Sequence, residues 1–259
     1  MKLTLRNLSL LSLLALAACA GPPPCRPLDD EPGQRAPTTT CVVAPAPASP
    51  LERALRDYDA QRLAALAEDG DPRVAALAAH GLGEILRLEA SVAEGQGDVA
   101  RLEALTARRL DVARQGLDAV TTALAGSPDD ADLMVARGEL RAYLIDGFRA
   151  GLLYGRAARR ELEAALAPHP LDPDARLAWA KQYYYLPATA GGDLDRARRD
   201  LEAIVADAPD HEPTWGFLGQ VYLALGREAE ARAALVRALC LNPRSLRGRA
   251  WLLRQEDLE

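Results

Sequence analysis

Ala197, Leu201 and Pro209 recur 34 residues later as Ala231, Leu235 and Pro243. An internal period of that length restricts the fold more than any single motif, because each unit is one supersecondary element that cannot bury its apolar face alone. Successive units must therefore stack. From Leu51 onward the apolar residues recur at intervals of three and four, and the interruptions fall at proline, glycine and aspartate. That is the pattern of amphipathic helices, and no stretch alternates with period two for long enough to make a strand. Alanine and leucine dominate and aromatics are only 5%, so good helix formers are plentiful and strand formers scarce. The expected class is all-α, with helices near 51–68, 72–92, 97–126, 130–145, 148–167, 173–186, 193–207, 211–225, 227–241 and 244–256. Asp71-Pro72 and Asp172-Pro173 are start signals, aspartate capping free N–H groups and proline suiting the first turn.

The clearest unit is "WGFLGQVYLALGREAEARAALVRALCLNP", Trp215 to Pro243. Trp215, Leu218, Gly219, Tyr222, Gly226, Ala231, Leu235, Ala238 and Pro243 stand at the spacings of the tetratricopeptide repeat (TPR), and the segment resembles that family. Gly219 and Ala231 are small, which lets the two helices of a pair approach at their crossing. Trp215, Leu218, Tyr222 and Leu235 fill the space between them, and Gly226 and Pro243 punctuate the turns.

Upstream, the unit ending at Pro209 places Leu177, Ala180 and Tyr184 on its first helix, with a turn about four residues too long. Ala158, Leu162, Ala165 and Pro170 repeat the second-helix pattern again. Met134 and Gly138 stand on the matching first helix, with roughly eight extra residues around "LIDGFRAG". The expected architecture is a TPR-like solenoid of helical hairpins, a right-handed superhelical stack with a concave face, over residues 97–259. Residues 51–96 are read as N-terminal helices forming a degenerate repeat. "SLRGRAWLLRQEDLE" reads as a capping helix with Leu246, Ala250, Trp251 and Leu253 on its packed side and Arg and Glu outward.

The first fifty residues are of another kind. Lys2 and Arg6 precede an apolar run, Leu8 to Ala18, too short to remain as a bilayer-spanning helix. It ends in Leu16-Ala17-Ala18-Cys19, which resembles the bacterial lipobox. The resemblance implies a leader over residues 1–18, lipidation of Cys19 and, with Ala20 following, an outer-membrane anchor with the body facing the periplasm. Residues 19–50 hold half of the eighteen prolines and no helical periodicity, which is the composition of a tether. The net charge of −6 and the absence of a Lys/Arg-rich block argue against nucleic acid as a partner and against electrostatic adhesion to anionic lipid. Membrane attachment then rests on the acyl chains.

Nothing in the sequence has the spacing of a catalytic or metal centre. His80, His169 and His211 have no second ligand at metal spacing, and the acidic residues are scattered over positions expected to face solvent. "GLGEIL" at Gly81 lacks the strand and turn that a nucleotide site needs and reads as helix-packing glycine. No enzyme activity, cofactor or metal is expected. Recognition remains, and it concentrates at "YYYLPATAGGDLDRA", Tyr183 to Ala197. Three consecutive tyrosines on a helix point about 100° apart. Tyr184 suits the buried aromatic position of the repeat, so Tyr183 or Tyr185 faces elsewhere. Pro187 ends the helix, Gly191-Gly192 permits a positive φ, and Asp193 caps the next helix. Trp179, Tyr183, Tyr185, Pro187 and Asp193 are the candidate partner-binding residues, along one edge of the groove between first helices.

"YYLPATAGGDLDRARRDLEAIV" together with "FRAGLLYGRAARRELEAAL", Phe148 to Leu166, is also similar to the T-component (TatT) family associated with TRAP transporters. That resemblance implies a lipid-anchored accessory protein contacting a solute-binding protein and a small hydrophobic ligand. The TPR resemblance implies an envelope protein or peptide as partner.

Overall fold

The computed structural model describes residue 47 and residues 49–256. The leader, Cys19 and nearly all of the tether lie outside the described residues. Among those described, the chain is a succession of α-helices: α1 (Pro50–Asp57), α2 (Ala60–Leu66), α3 (Pro72–Gly95), α4 (Val99–Gly126), α5 (Ala131–Tyr143), α6 (Phe148–Leu166), α7 (Pro173–Tyr185), α8 (Leu194–Asp207), α9 (Glu212–Ala224), α10 (Glu228–Leu241) and α11 (Leu246–Glu256). The all-α class is as the periodicity indicates.

Local chemistry sets most of the boundaries. Asp59, Asp71, Asp98, Asp130, Asp172 and Asp193 each occupy an N-cap, and each side chain accepts from a backbone N–H of the first turn. Ser49 and Glu52 form a reciprocal capping box that starts α1 at Pro50. The single helix expected over 51–68 is two helices. Tyr58 takes a left-handed conformation at φ 50°, and the Asp59 N–H then bonds the Ala54 carbonyl while its carboxylate caps α2.

The helices pair as consecutive hairpins, α3 with α4, α5 with α6, α7 with α8 and α9 with α10, and the first helix of each pair packs on the first helix of the next. Small residues set the crossings. A Cβ added to Gly219 would lie 2.5 Å from Leu235 Cγ, and one added to Gly138 would lie 2.5 Å from Leu162 Cδ2. These two contacts are the same contact in two hairpins. The longer separation of Gly138 from Leu162 is taken up by the turn at Leu144–Gly147 and the early start of α6. Ala231, Leu235, Ala238, Leu218 and Tyr222 are buried, as the repeat pattern requires, and Trp215 is half-buried with its indole N–H donating to the Pro209 carbonyl at 3.0 Å. Pro243 is exposed in the turn before α11.

In the α7–α8 hairpin the register differs from the sequence reading by one residue. The Arg227 N–H bonds the Tyr222 carbonyl in one hairpin, and the Asp193 N–H bonds the Tyr183 carbonyl in the other. The inserted turn is therefore five residues, and Tyr183, 4% exposed, takes the buried aromatic place expected for Tyr184. The insertion is the 3₁₀ turn Ala188–Ala190 followed by Gly191 at φ 94°. Gly192 is needed for a different reason: a Cβ there would collide with the Leu186 carbonyl.

The array also closes on itself. Leu246 of α11 belongs to the same buried cluster as Leu51, Leu82, Ile85 and Tyr143. The Tyr58 hydroxyl donates to Glu212 Oε2 at 2.9 Å, Asn242 Nδ2 to the Arg56 carbonyl at 2.8 Å, and Arg244 pairs with Asp57 at 2.6 Å. α1 and the turn before α11, at opposite ends of the helical series, are neighbours in space.

Candidate functional site

First helices of successive hairpins present their inner stripes to one another, so residues spread over three turns of α3 meet residues of α5, α7, α9 and α11. From α3 come His80, Glu84, Arg87, Leu88 and Ser91, at the spacing that keeps them on one face. Lys181 of α7 lies 3.3 Å from Glu84 and 3.1 Å from Glu139 of α5. Arg247 of α11 donates to Glu84 and, at 2.7 Å, to Gln220 Oε1. His80 Nε2 is 2.7 Å from Glu139 Oε2, and the Tyr143 hydroxyl donates to Glu84 Oε2 at 3.1 Å. The Phe217 ring lies beneath the cations, 5.9 Å from Lys181 Nζ and 4.9 Å from the Arg247 guanidinium carbon.

This ionic centre is buried, with Glu84 9%, Glu139 3%, Lys181 6% and Arg247 7% exposed. Burial alone would push the Glu84 carboxyl up, but Lys181 and Arg247 outweigh it and hold Glu84 well below the carboxylate range. Glu139 is likewise pushed up by burial and pulled below its ordinary value by Lys181 and His80. Burial disfavours the Lys181 ammonium, and the two carboxylates more than restore it. All four groups therefore stay charged at neutral pH. The structure corrects the sequence reading here: Glu84 and Glu139 are not on a solvated face, and Arg247 points inward from the capping helix. A single glutamate on an amphipathic helix gives no sign of facing in until the partner helix supplies its cation.

Where the inner stripe is not filled by its own charges it leaves a cavity of about 280 Å³. Leu88 and Ser91 of α3, Tyr184 of α7, Gln220, Leu223 and Ala224 of α9, Leu235 of α10, and Arg247, Ala250 and Trp251 of α11 line it. The wall is mixed, with aliphatic and aromatic surface around a few directed polar groups, the composition of an anchor pocket.

The tyrosine run is divided among three environments. Tyr183 is packed in the repeat core, edge-on to Trp179 and under the Arg196 guanidinium at 4.1 Å. Tyr184 accepts from Gln220 Nε2 at 3.1 Å and meets Phe217 edge-on. Tyr185 carries Arg87 over its ring at 3.3 Å. Trp179 is half-buried, with Arg159 at 5.2 Å from its ring. Pro187 is exposed, and Asp193 is the N-cap of α8 with its side chain accepting from the Arg196 N–H. Of the five residues expected at the groove edge, Tyr185 alone has a cation–π contact with α3; Tyr184, assigned to the core, lines the cavity.

His211 is bound by Thr214 Oγ1 at 2.7 Å and Asp174 Oδ1 at 3.2 Å. Among the described residues no group of three or more His, Cys, Asp or Glu side chains is placed to hold a metal ion. No described helix is long and apolar enough to cross a membrane.

The tetratricopeptide repeat family model matches residues 188–252. A thermophilic TPR protein of Thermus thermophilus superposes with a TM-score of 0.51 at 21% identity, over 78% of this chain and 94% of its own. YrrB, described as a TPR protein with an unusual peptide-binding site, covers 76% of this chain and 81% of its own at 21% identity, with a TM-score of 0.35. MamA covers 62% and 73% at 13% identity, with a TM-score of 0.35. No curated protein matches the sequence. The fold is a TPR-like solenoid of helical hairpins, and residues 188–252 are similar to the tetratricopeptide repeat family.

Proposed function

We propose that this chain is a lipid-anchored, non-catalytic scaffold that binds a protein or peptide partner on the inner face of its helical array, at the periplasmic side of a bacterial outer membrane. The repeat fold supports a scaffold role. The observation that carries the site is the cavity between Leu88, Tyr184, Leu223, Leu235 and Trp251, where apolar walls from five different helices surround the Tyr184 hydroxyl, Gln220 and Arg247. A large side chain of the partner enters there, and the polar groups orient the backbone beside it. The anchor rests on the lipobox-like Leu16 to Cys19, with the proline-rich tether holding the body off the membrane.

The test is recovery of the same envelope partner with the wild-type chain and with Trp251→Ala and Tyr184→Ala after gentle crosslinking. Loss of one specific partner in both variants, with unchanged recovery in Pro187→Ala, supports the cavity. A partner retained by all three moves the binding surface elsewhere. The TRAP-associated accessory role needs an enclosed apolar ligand pocket. The cavity has Arg247 and Gln220 in its wall, so no observation favours that reading.

A further inference from the structure

Three residues of the cavity wall form a hydrogen-bond relay whose direction is fixed at one end. Arg247 Nε donates to Gln220 Oε1 at 2.7 Å, and Gln220 Nε2 donates to the Tyr184 hydroxyl oxygen at 3.1 Å. A guanidinium has no acceptor, so the Gln220 amide must turn its oxygen to Arg247 and its nitrogen to Tyr184. The Tyr184 oxygen is therefore an acceptor toward Gln220, and its single proton points elsewhere. Among the described residues no group accepts that proton.

The donor belongs to the cavity. Tyr184, Gln220 and Arg247 all line the space of about 280 Å³, together with Leu88, Leu223 and Trp251. The Tyr184 ring meets Tyr185 edge-on at 4.9 Å and Phe217 at 5.3 Å, which holds the hydroxyl at one place on the wall. Charge is not what this wall offers. Arg247 is paired with Glu84, and across the ionic centre Glu84 and Glu139 balance Lys181 and Arg247. What remains is a neutral donor set in apolar surface, and its complement is a neutral acceptor carried beside an apolar group. In a protein or peptide partner, that is the main-chain carbonyl next to a large apolar side chain.

We propose that the Tyr184 hydroxyl binds a main-chain carbonyl oxygen of the partner, beside the apolar side chain that fills the cavity. Gln220 and Arg247 are positioning residues, because they act by setting which way the tyrosine proton points. The proposal rests on the reading of the cavity as the partner's anchor pocket and adds the chemistry of the group that enters it.

The experiment is an NMR titration of the full chain with three small probes of nearly equal shape. Acetophenone carries a carbonyl, α-methylstyrene has a methylene in its place, and benzoate carries a charge. Each is titrated into wild type, Tyr184→Phe and Gln220→Glu. Tyr184→Phe keeps the ring and removes the donor. Gln220→Glu keeps the tyrosine and occupies its proton, because a carboxylate accepts from both Arg247 and Tyr184. The expected result is a Kd for acetophenone that rises roughly three- to tenfold in both variants, the worth of one neutral hydrogen bond. The Kd for α-methylstyrene should be the same in all three proteins. An equal loss for both of these probes, or no loss for either, overturns the carbonyl contact and leaves the anchor pocket standing. Benzoate bound by wild type more tightly than acetophenone makes the group an anion and overturns the neutral carbonyl. If none of the three binds wild type, the anchor pocket itself falls, and the proposal falls with it.

Discussion

Arg247 on α11 donates to Glu84 on α3, across 163 residues of sequence, and the two are buried when they meet. With Lys181 and Glu139 they form a centre of two anions and two cations on which four helices converge. Burying such a group gives little net stability, because desolvation offsets most of the attraction. In the arrangement that α3, α5, α7 and α11 adopt, each of the four charges has an opposite charge beside it.

Removing one member should therefore be far worse than removing a pair. Arg247→Met leaves Glu84 with Lys181 as its ion-pair partner and the Tyr143 hydroxyl as its hydrogen-bond donor, with an expected loss of about 3–5 kcal/mol. Arg247→Met combined with Glu84→Gln should recover a substantial part of it. Urea unfolding of the three variants checks this; additivity of the two single changes would show that the residues do not act together.

Acid should weaken the closed array in a defined window. Glu84 and Glu139 are held below their ordinary value of 4.5 in the folded chain. Their contribution is present above 4.5 and is lost as pH falls below it through the lowered folded values. Glu212 works the other way. Burial raises its carboxyl above 4.5 against hydrogen bonds from Ser245 and Tyr58, so its contribution is full below 4.5 and declines as pH rises through the raised value. Tm measured against pH should be flatter below 4.5 in Glu84→Gln, and Glu212→Gln should remove a decline on the alkaline side of 4.5.

At the helix crossings, Gly219→Leu should cost about 1–3 kcal/mol or more, because its Cβ alone would already press on Leu235. Gly138→Leu should behave alike against Leu162. Chemical denaturation reads both, and unchanged midpoints would show that these contacts do not set the hairpin spacing.

The inserted turn depends on its second glycine for space. Gly192→Ala drives a methyl group into the Leu186 carbonyl and should lower Tm, whereas Thr189→Ala, exposed in the same turn, should not. Differential scanning calorimetry of the pair separates the steric requirement from general sensitivity of the turn.

Membrane attachment is expected to rest on Cys19 alone. Cys19→Ser should move the protein from the membrane to the soluble fraction without detergent, and its persistence in washed membranes would exclude the lipid anchor.

How much of this is legible in the sequence follows from which interactions are local. Helix class, the aspartate caps and the Gly219–Leu235 and Gly138–Leu162 crossings follow from residues close in sequence, and periodicity exposes them. The five-residue turn reads as four because glycine and proline mark where a helix stops without fixing how many residues bridge the gap. That one-residue slip exchanges Tyr183 and Tyr184 between core and cavity. The ionic centre is invisible for a stronger reason. Glu84, Lys181 and Arg247 each look like ordinary surface charges on amphipathic helices, and only the closing of the array brings them together.

The measurement that tests the account most directly is site-specific photocrosslinking in intact envelopes. A photoreactive residue is placed at Tyr184 or Trp251 on the inner cavity, or at Val236, exposed on α10. The account predicts one discrete partner adduct at both inner positions and none at Val236. The same adduct at Val236, with none at the inner positions, would contradict it.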